Sequence, residues 1–184
     1  MYQLSVSAAL EAGRLFPEKA KLQIPLYVSY SNETLSPNYD PLDTDMKLSE
    51  SLENYETKAE KDSIKEMANT VQETTSFSVT NMKVDIHSKK QNMFYDPANF
   101  SISASYNKQN QHTPEIEQDL VIDQKGSFNY SYNFNPKPWE PFKGVEKLKK
   151  VKFFSEMNFY YLPQSWAFNT NMQRSFTHLK MRDF

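Results

Sequence analysis

Residues 21–30, which read K-L-Q-I-P-L-Y-V-S-Y, constrain the fold more than any other stretch of the chain. Apolar and polar side chains alternate there, so that the apolar ones share one parity and the polar ones the other. This period of two predicts a β-strand with one apolar face. The same alternation recurs at residues 2–10, 100–106 and 128–134. The chain is therefore predicted to be mainly β.

About seven strands are expected, arranged as an antiparallel meander with one helical insertion. The strand signals lie at residues 2–10, 22–30, 76–82, 100–106, 128–134, 157–161 and 166–172. Apolar residues at helical spacing over residues 48–71 predict one helix, with or without an interruption, capped by Ser49 or Ser51. The expected divisions are residues 1–30 for the first two strands, 31–75 for the loop and charged helical insertion, and 76–184 for the remaining strands, with a Pro-rich connection at 135–142 and a short basic helix at 145–150.

The apolar face of such a sheet must meet either a second sheet or lipid. Only 38% of the residues are hydrophobic and the mean hydropathy is -0.76, which excludes membrane-spanning helices but not the half-polar strands of a transmembrane β-barrel. Bacterial single-chain barrels use even strand numbers from about eight upward. Seven strands would therefore form an arc of a larger barrel. Since the first residues carry no targeting signal, we expect an internal piece of a longer chain.

The polar parity of the strands favours the barrel, because it consists of Ser, Asn, Gln and Thr rather than of Lys and Glu. A soluble sandwich normally shows water a mixed charged surface, whereas a wide barrel has a polar, wetted interior. The residues predicted to face lipid are Leu22, Ile24, Leu26, Val28, Phe100, Ile102, Ala104, Tyr106, Phe128, Tyr130, Tyr132, Phe134, Phe159 and Phe168. The residues predicted to face the lumen are Gln23, Ser29, Ser101, Ser103, Ser105, Asn129, Ser131, Asn133, Asn169 and Asn171.

Pro25 interrupts the strand predicted at residues 22–30. Because proline cannot donate a hydrogen bond to a neighbouring strand, its position is predicted to be a bulge or an unpaired edge.

Catalytic and metal chemistry find little support in the sequence. The charge is nearly balanced, with 21 basic and 23 acidic residues, so no nucleic-acid partner is expected. There are no cysteines, and His87, His112 and His178 stand apart from one another. The run D-P-L-D-T-D holds Asp40, Asp43 and Asp45, which are interpreted as turn-forming residues rather than as a calcium site. With no nucleophile elbow and no phosphate loop, we expect neither an enzyme nor a cofactor or metal.

Several longer segments of the sequence resemble the SprA family, the very large outer-membrane proteins of Bacteroidetes linked to gliding motility and type IX secretion. They are I-P-L-Y-V-S-Y-S from Ile24, S-P-N-Y-D-P-L-D-T-D from Ser36, S-F-S-V-T-N-M from Ser76 and M-N-F-Y-Y-L-P-Q-S-W-A-F from Met157. The resemblance runs over most of this chain but over a small part of a family chain.

What the resemblance implies is a segment of a giant outer-membrane barrel, a translocon that passes folded cargo proteins to the cell surface. Its expected partners are outer-membrane lipid, the rest of its own barrel, secreted cargo and translocon partner proteins at a lateral opening. Pro25 would then lie at the unpaired edge of that opening. The alternative is a soluble, secreted β-sandwich that acts as a binding or adhesion module.

Overall fold

The computed structural model describes residues 1–87, 93–134, 136–137, 139, 159–161 and 163–183. It contains one seven-stranded antiparallel sheet, which confirms the mainly β prediction. The strands are β1 (Tyr2–Glu11), β2 (Leu22–Gln23), β3 (Pro25–Leu35), β4 (Thr70–Val84), β5 (Phe100–His112), β6 (Ile116–Asn133) and β7 (Ser165–Met181). Two helices, α1 (Leu48–Glu53) and α2 (Lys58–Ala68), and three 3₁₀ turns, Ala12–Leu15, Glu18–Ala20 and Pro97–Asn99, complete the described elements.

The sheet is a meander in which consecutive long strands are neighbours. Its order is β1-β3-β4-β5-β6-β7, and the short β2 pairs with the end of β4. Every pairing is antiparallel. The sheet does not close on itself within the described residues, so β1 and β7 form its two edges.

Several strands extend well beyond their apolar segments. The polar residues 107–112, which the sequence analysis placed in a connection, continue β5 up to a tight turn, where Ile116 N donates to the Thr113 hydroxyl over 3.1 Å. Likewise β4 begins at Thr70, directly after α2, rather than at residue 76. Cross-strand pairing maintains these extensions, since short polar side chains on adjacent strands can hydrogen-bond to one another.

Pro25 lies at a break in the strand predicted at residues 22–30, which divides into β2 and β3 around Ile24. Both neighbours of β3 are present: Pro25 lies opposite Glu11 in β1, and Leu26 lies opposite Val79 in β4. The prediction of an unpaired edge at Pro25 is therefore wrong, and with it the placement of this residue at a lateral opening.

The interruption in β3 is matched by an irregularity in β4, where the register with β5 shifts between Val79 and Met82. Asn81 in this irregularity has a positive φ of 54°. Its backbone N–H donates to the Ser103 hydroxyl over 2.8 Å instead of to a strand carbonyl. A short polar side chain tolerates this left-handed conformation better than most residues.

The insertion between β3 and β4 holds two helices, which corresponds to the interrupted form of the predicted helix. Thr57 begins α2 with a capping box, because its hydroxyl accepts from Glu60 N over 3.3 Å and the Glu60 carboxylate accepts from Thr57 N over 3.2 Å. The predicted caps Ser49 and Ser51 are wrong: Lys47 precedes α1, and Ser51 lies buried inside it. Leu48 and Ala68, the buried hydrophobic residues of the described chain, also lie in this insertion.

The predicted strand at residues 157–161 is not found where the structure can be described. Phe159 makes an isolated antiparallel bridge with Trp139, and residues 157–158 lie outside the described part. The predicted basic helix at 145–150 also lies outside it, as does most of the Pro-rich connection.

Candidate functional surface

The register of the strands assigns each side chain to one of two faces of the sheet. Residues directly opposite each other on neighbouring strands share a face, and successive residues along a strand alternate. The row Val28, Phe77 and Tyr106 therefore lies on one face, which we call the apolar face. The adjacent row Ser29, Ser76 and Asn107 lies on the other, the polar face.

The predicted division of side chains between two faces can be compared with this register. The residues predicted to face lipid that share the apolar face are Leu22, Leu26, Val28, Phe100, Ile102, Ala104, Tyr106, Phe128, Tyr130, Tyr132 and Phe168. Ile24, Phe134 and Phe159 lie outside the named strands. The polar face carries Gln23, Ser29, Ser101, Ser103, Ser105, Asn129, Ser131, Asn133, Asn169 and Asn171, the residues predicted to face the lumen. What each face contacts stays a prediction.

Large apolar side chains on the apolar face are uncovered in the described structure. Trp166 is 66% exposed, Phe168 55%, Val6 59% and Ile102 44%. In the part of the chain that is described, no second sheet packs on them. Contiguous apolar patches beyond a few hundred Å² are rare on soluble monomers and mark a surface that another apolar phase covers.

The apolar face has a polar border that crosses the strands diagonally. From β3 to β7 the border residues are Asn32, Thr75, Lys108, Gln124 and Arg174, and Thr170 of β7 is a polar residue of this face inside the apolar segment. By contrast, the residue of β7 that lies in the same cross-strand row as Asn32 is His178 and not Arg174. From one strand to the next, the border therefore shifts by about one residue along the strand. With a rise of about 3.3 Å per residue and a strand spacing of about 4.8 Å, the strands are tilted by about 35° from the perpendicular to the border.

Below this border the apolar segment has a nearly constant height. In β4, β5, β6 and β7 about eight or nine residues separate the border from the end of the strand, which at that tilt corresponds to a band about 22 to 24 Å tall. We call this segment the apolar band. The charged strand residues of the apolar face lie at the border, Lys108 and Arg174, or beyond it, Glu73 and Lys180. Leu120, Ile122 and Phe176 also lie beyond it, among these charged and polar neighbours.

The polar face is covered by short uncharged side chains, many of which lie opposite one another. Ser76 donates to the Asn107 side-chain oxygen over 2.7 Å, and Asn129 lies opposite both Ser101 and Asn169. Charged strand residues on this face include Glu11, Glu33 and Lys83 as well as Asp119, Asp123 and Lys125 of β6. A surface of such hydrogen-bonding side chains is well hydrated.

Residues 93–99 form a turn that the sequence analysis treated only as a connection. The turn lies over the apolar face, because the Tyr130 hydroxyl donates to the Phe94 carbonyl over 3.0 Å. Phe94 and Tyr95 project from it, 63% and 60% exposed, with their rings edge to face at 5.2 Å. The signal that could have identified it is the pair of aromatics directly followed by D-P-A-N, a turn-forming sequence.

An open cleft of about 450 Å³ separates this turn from the sheet. Phe94 and Tyr95 line one side, and aromatic residues of β5, β6 and β7 line the other. The strand residues are Phe100, Phe128, Tyr130, Trp166 and Phe168. All of these strand residues belong to the apolar band, at the end farthest from the polar border.

The aspartate run in the insertion is engaged in structural hydrogen bonds. Asp40 is 6% exposed, accepts from the Ser51 hydroxyl and accepts from Leu42 N over 2.9 Å. Asp43 accepts from Asp45 N over 3.3 Å. The carboxylates of Asp40 and Asp43 therefore accept hydrogen bonds that form the loop.

Other titratable groups do not assemble into a reactive site in the described residues. His87 contacts Asp85 at 3.1 Å on the surface, and Lys180 pairs with Glu117 at 2.6 Å. Hydrogen bonds from the Thr57 side chain and backbone hold the pKa of the Glu60 carboxyl below its usual value. Among the residues that the structure describes, no three His, Cys, Asp or Glu side chains come together as metal ligands. The described helices are all too short or too polar to cross a membrane.

Comparison with known protein families places the first part of the chain. A profile of the SprA_N family, described as "Motility related/secretion protein", matches residues 1–52. The match spans β1, β2 and β3 and extends into α1. No curated protein matches the chain significantly. The first 52 of the 184 residues are therefore similar to a family of motility-related and secretion proteins.

Proposed function

We propose that this chain forms an arc in the wall of an outer-membrane β-barrel that conducts secreted proteins, in the type IX secretion and gliding-motility setting of its family. The single observation that carries the proposal is the apolar band. Transmembrane barrels show an outward apolar band about 25 Å tall on strands tilted by about 35 to 45°. The apolar band is about 22 to 24 Å tall and its strands are tilted by about 35°, which supports the proposal.

The distribution of charge supports the same orientation of the two faces. A Lys or Arg on the lipid face costs about 2 to 4 kcal/mol at mid-membrane and about 0 to 1 kcal/mol near the interfaces. Lys108 and Arg174 lie at the border of the band, where such a charge is tolerated. The Ser- and Asn-rich polar face would line a water-filled lumen and would take part in conduction without any catalytic step.

The soluble sandwich has less support. A sandwich buries its apolar parity between two sheets. The described residues form one sheet, and their buried hydrophobic residues, Leu48 and Ala68, belong to the helical insertion rather than to a core between sheets.

Ala104 and Ser105 offer a matched pair of positions for testing the proposal. They are adjacent, small residues of β5 on opposite faces of the sheet. A photo-crosslinking amino acid such as benzoylphenylalanine is introduced at each position in the full-length protein, in cells that are actively secreting. We expect Ser105 to cross-link to exported proteins and Ala104 not to do so.

Cross-links to exported cargo at Ala104 as frequent as those at Ser105 would contradict the proposed faces. If neither position reaches cargo while the secretion activity of both variants is intact, this arc does not line the conduction path.

A further inference from the structure

The turn at residues 93–99 is held by its own hydrogen bonds. Asp96 is only 2% exposed, and its carboxylate accepts from Met93 N over 2.9 Å. Asn99 is 8% exposed and donates through its side-chain amide to the carbonyls of Met93, over 2.6 Å, and Phe94, over 3.3 Å. Because these polar groups are satisfied within the turn, the turn can present Phe94 and Tyr95 outward without exposing unpaired backbone to an apolar phase.

The cleft behind this turn has the chemistry of an apolar binding site. The side chains that line it are all aromatic, and its volume of about 450 Å³ falls within the range of about 300 to 1,000 Å³ typical of ligand pockets. A single fatty-acyl chain is a ligand of matching chemistry, because it needs no hydrogen-bond partners along its length. The hydroxyl of Tyr130, the polar tip closest to the turn, is already engaged by the Phe94 carbonyl.

The cleft is also continuous with the apolar band, at the end where aromatic belts of membrane proteins meet the lipid headgroups. We propose that the cleft binds one acyl chain of a bilayer phospholipid. Phe94 and Tyr95 pack on one side of this chain, and Trp166 and Phe168 pack on the other. The turn thereby anchors this end of the arc at the membrane interface. The inference rests on the proposed function, since it requires the band to face lipid.

The experiment uses the full-length protein reconstituted into phosphatidylethanolamine–phosphatidylglycerol vesicles that contain a phosphatidylcholine with a diazirine in one acyl chain. After illumination, mass spectrometry locates the labelled residues. We expect several-fold more label on Phe94, Tyr95 and Trp166 than on Ala104 and Met172, which lie in the band away from the cleft.

Phe94→Asp places a carboxylate at the mouth of the cleft without disturbing a buried side chain, because Phe94 is 63% exposed. It should reduce labelling of Trp166 several-fold and leave the label on Ala104 unchanged. The matched control is Leu42→Asp, a 62% exposed apolar residue of the helical insertion, which should change neither.

The outcomes separate the two proposals. Label spread evenly over the band, or label on Trp166 that Phe94→Asp does not reduce, would overturn the acyl-chain site while leaving the band in lipid. Absence of label from both the band and the cleft would overturn the proposed membrane wall and the acyl-chain site together.

Discussion

At the scale of single residues, Gly13 is the position where the fold has least room. A Cβ atom built on Gly13 would lie 2.1 Å from the Leu22 carbonyl oxygen, which is backbone and cannot rotate away. The same turn is fixed by Glu11, whose carboxylate accepts from Ile24 N over 2.6 Å. Gly13→Ala must therefore displace β2 from the end of β4.

We expect Gly13→Ala to destabilise this end of the sheet by about 1 to 3 kcal/mol, the range of overpacking substitutions. Faster hydrogen exchange of residues 12–24 would measure it. Gly126→Ala is the matched control, because a Cβ there meets no atom within 4 Å, and it should leave exchange in β6 unchanged or slower. Unchanged hydrogen exchange in Gly13→Ala would show that the turn accommodates the added methyl group without loss of stability, which would contradict the prediction.

Asp40 is the residue that organises the loop before α1. Replacing it with Ala leaves the Ser51 hydroxyl and Leu42 N without their acceptor, at a cost of about 1 to 3 kcal/mol. We expect Asp40→Ala to make residues 36–54 several-fold more sensitive to limited proteolysis. Asp45→Ala, which removes an exposed carboxylate from the same loop, should behave as the wild type, and equal sensitivity of the two variants would contradict the assigned role.

At the scale of elements, the capping box of α2 makes this helix sensitive to acid. The pKa of Glu60 is lowered from its ordinary value of 4.5 by hydrogen bonds to Thr57, so the capped helix is favoured above that pH. This contribution is lost as the pH falls through the lower pKa of the folded state. We expect the carboxyl carbon of Glu60 to titrate below pH 4.5 by NMR in a peptide of residues 55–70 at low temperature.

Two variants separate the causes of this shift. Thr57→Ala should return the pKa of Glu60 toward 4.5, because both the hydroxyl and the geometry of the box are lost. Glu60→Gln keeps an oxygen acceptor for Thr57 N but carries no charge, so its helicity by circular dichroism should change less between pH 3 and pH 6 than that of the parent peptide. A pKa that stays lowered in Thr57→Ala would assign the shift to another cause.

The elements also show what could be predicted from the sequence and what could not. Strict alternation identified the strands that carry the apolar band, and Ser105 and Asn129 lie on the face opposite the apolar residues because the period of a strand is fixed at two. The end of β5 was not predicted, because residues 107–112 are polar on both faces and show no alternation. They form a strand because they pair with the neighbouring strands. The turn carrying Phe94 and Tyr95 was missed for a related reason, because its hydrogen bonds are made only after folding.

At the scale of the whole molecule, the sheet formed by the described residues has two open edges and one apolar face that no other described element covers. Both features favour association in water. We therefore expect the 184-residue chain, expressed alone, to aggregate in buffer and to show β-structure by circular dichroism only in detergent. Size-exclusion chromatography with and without detergent measures this. A monodisperse monomer with a cooperative thermal transition in plain buffer would instead favour the sandwich.

In the proposed barrel, the tilt of the strands would fix how much of the circumference this sheet supplies. Strands about 4.8 Å apart and tilted by about 35° each occupy nearly 6 Å of perimeter, so the six long strands span about 35 Å. A folded domain of about 100 residues, with a radius of gyration of about 13 Å, is about 35 Å across. A ring wide enough to admit it, with its own side chains, would need a perimeter of about 140 Å, or about four sheets of this size placed edge to edge.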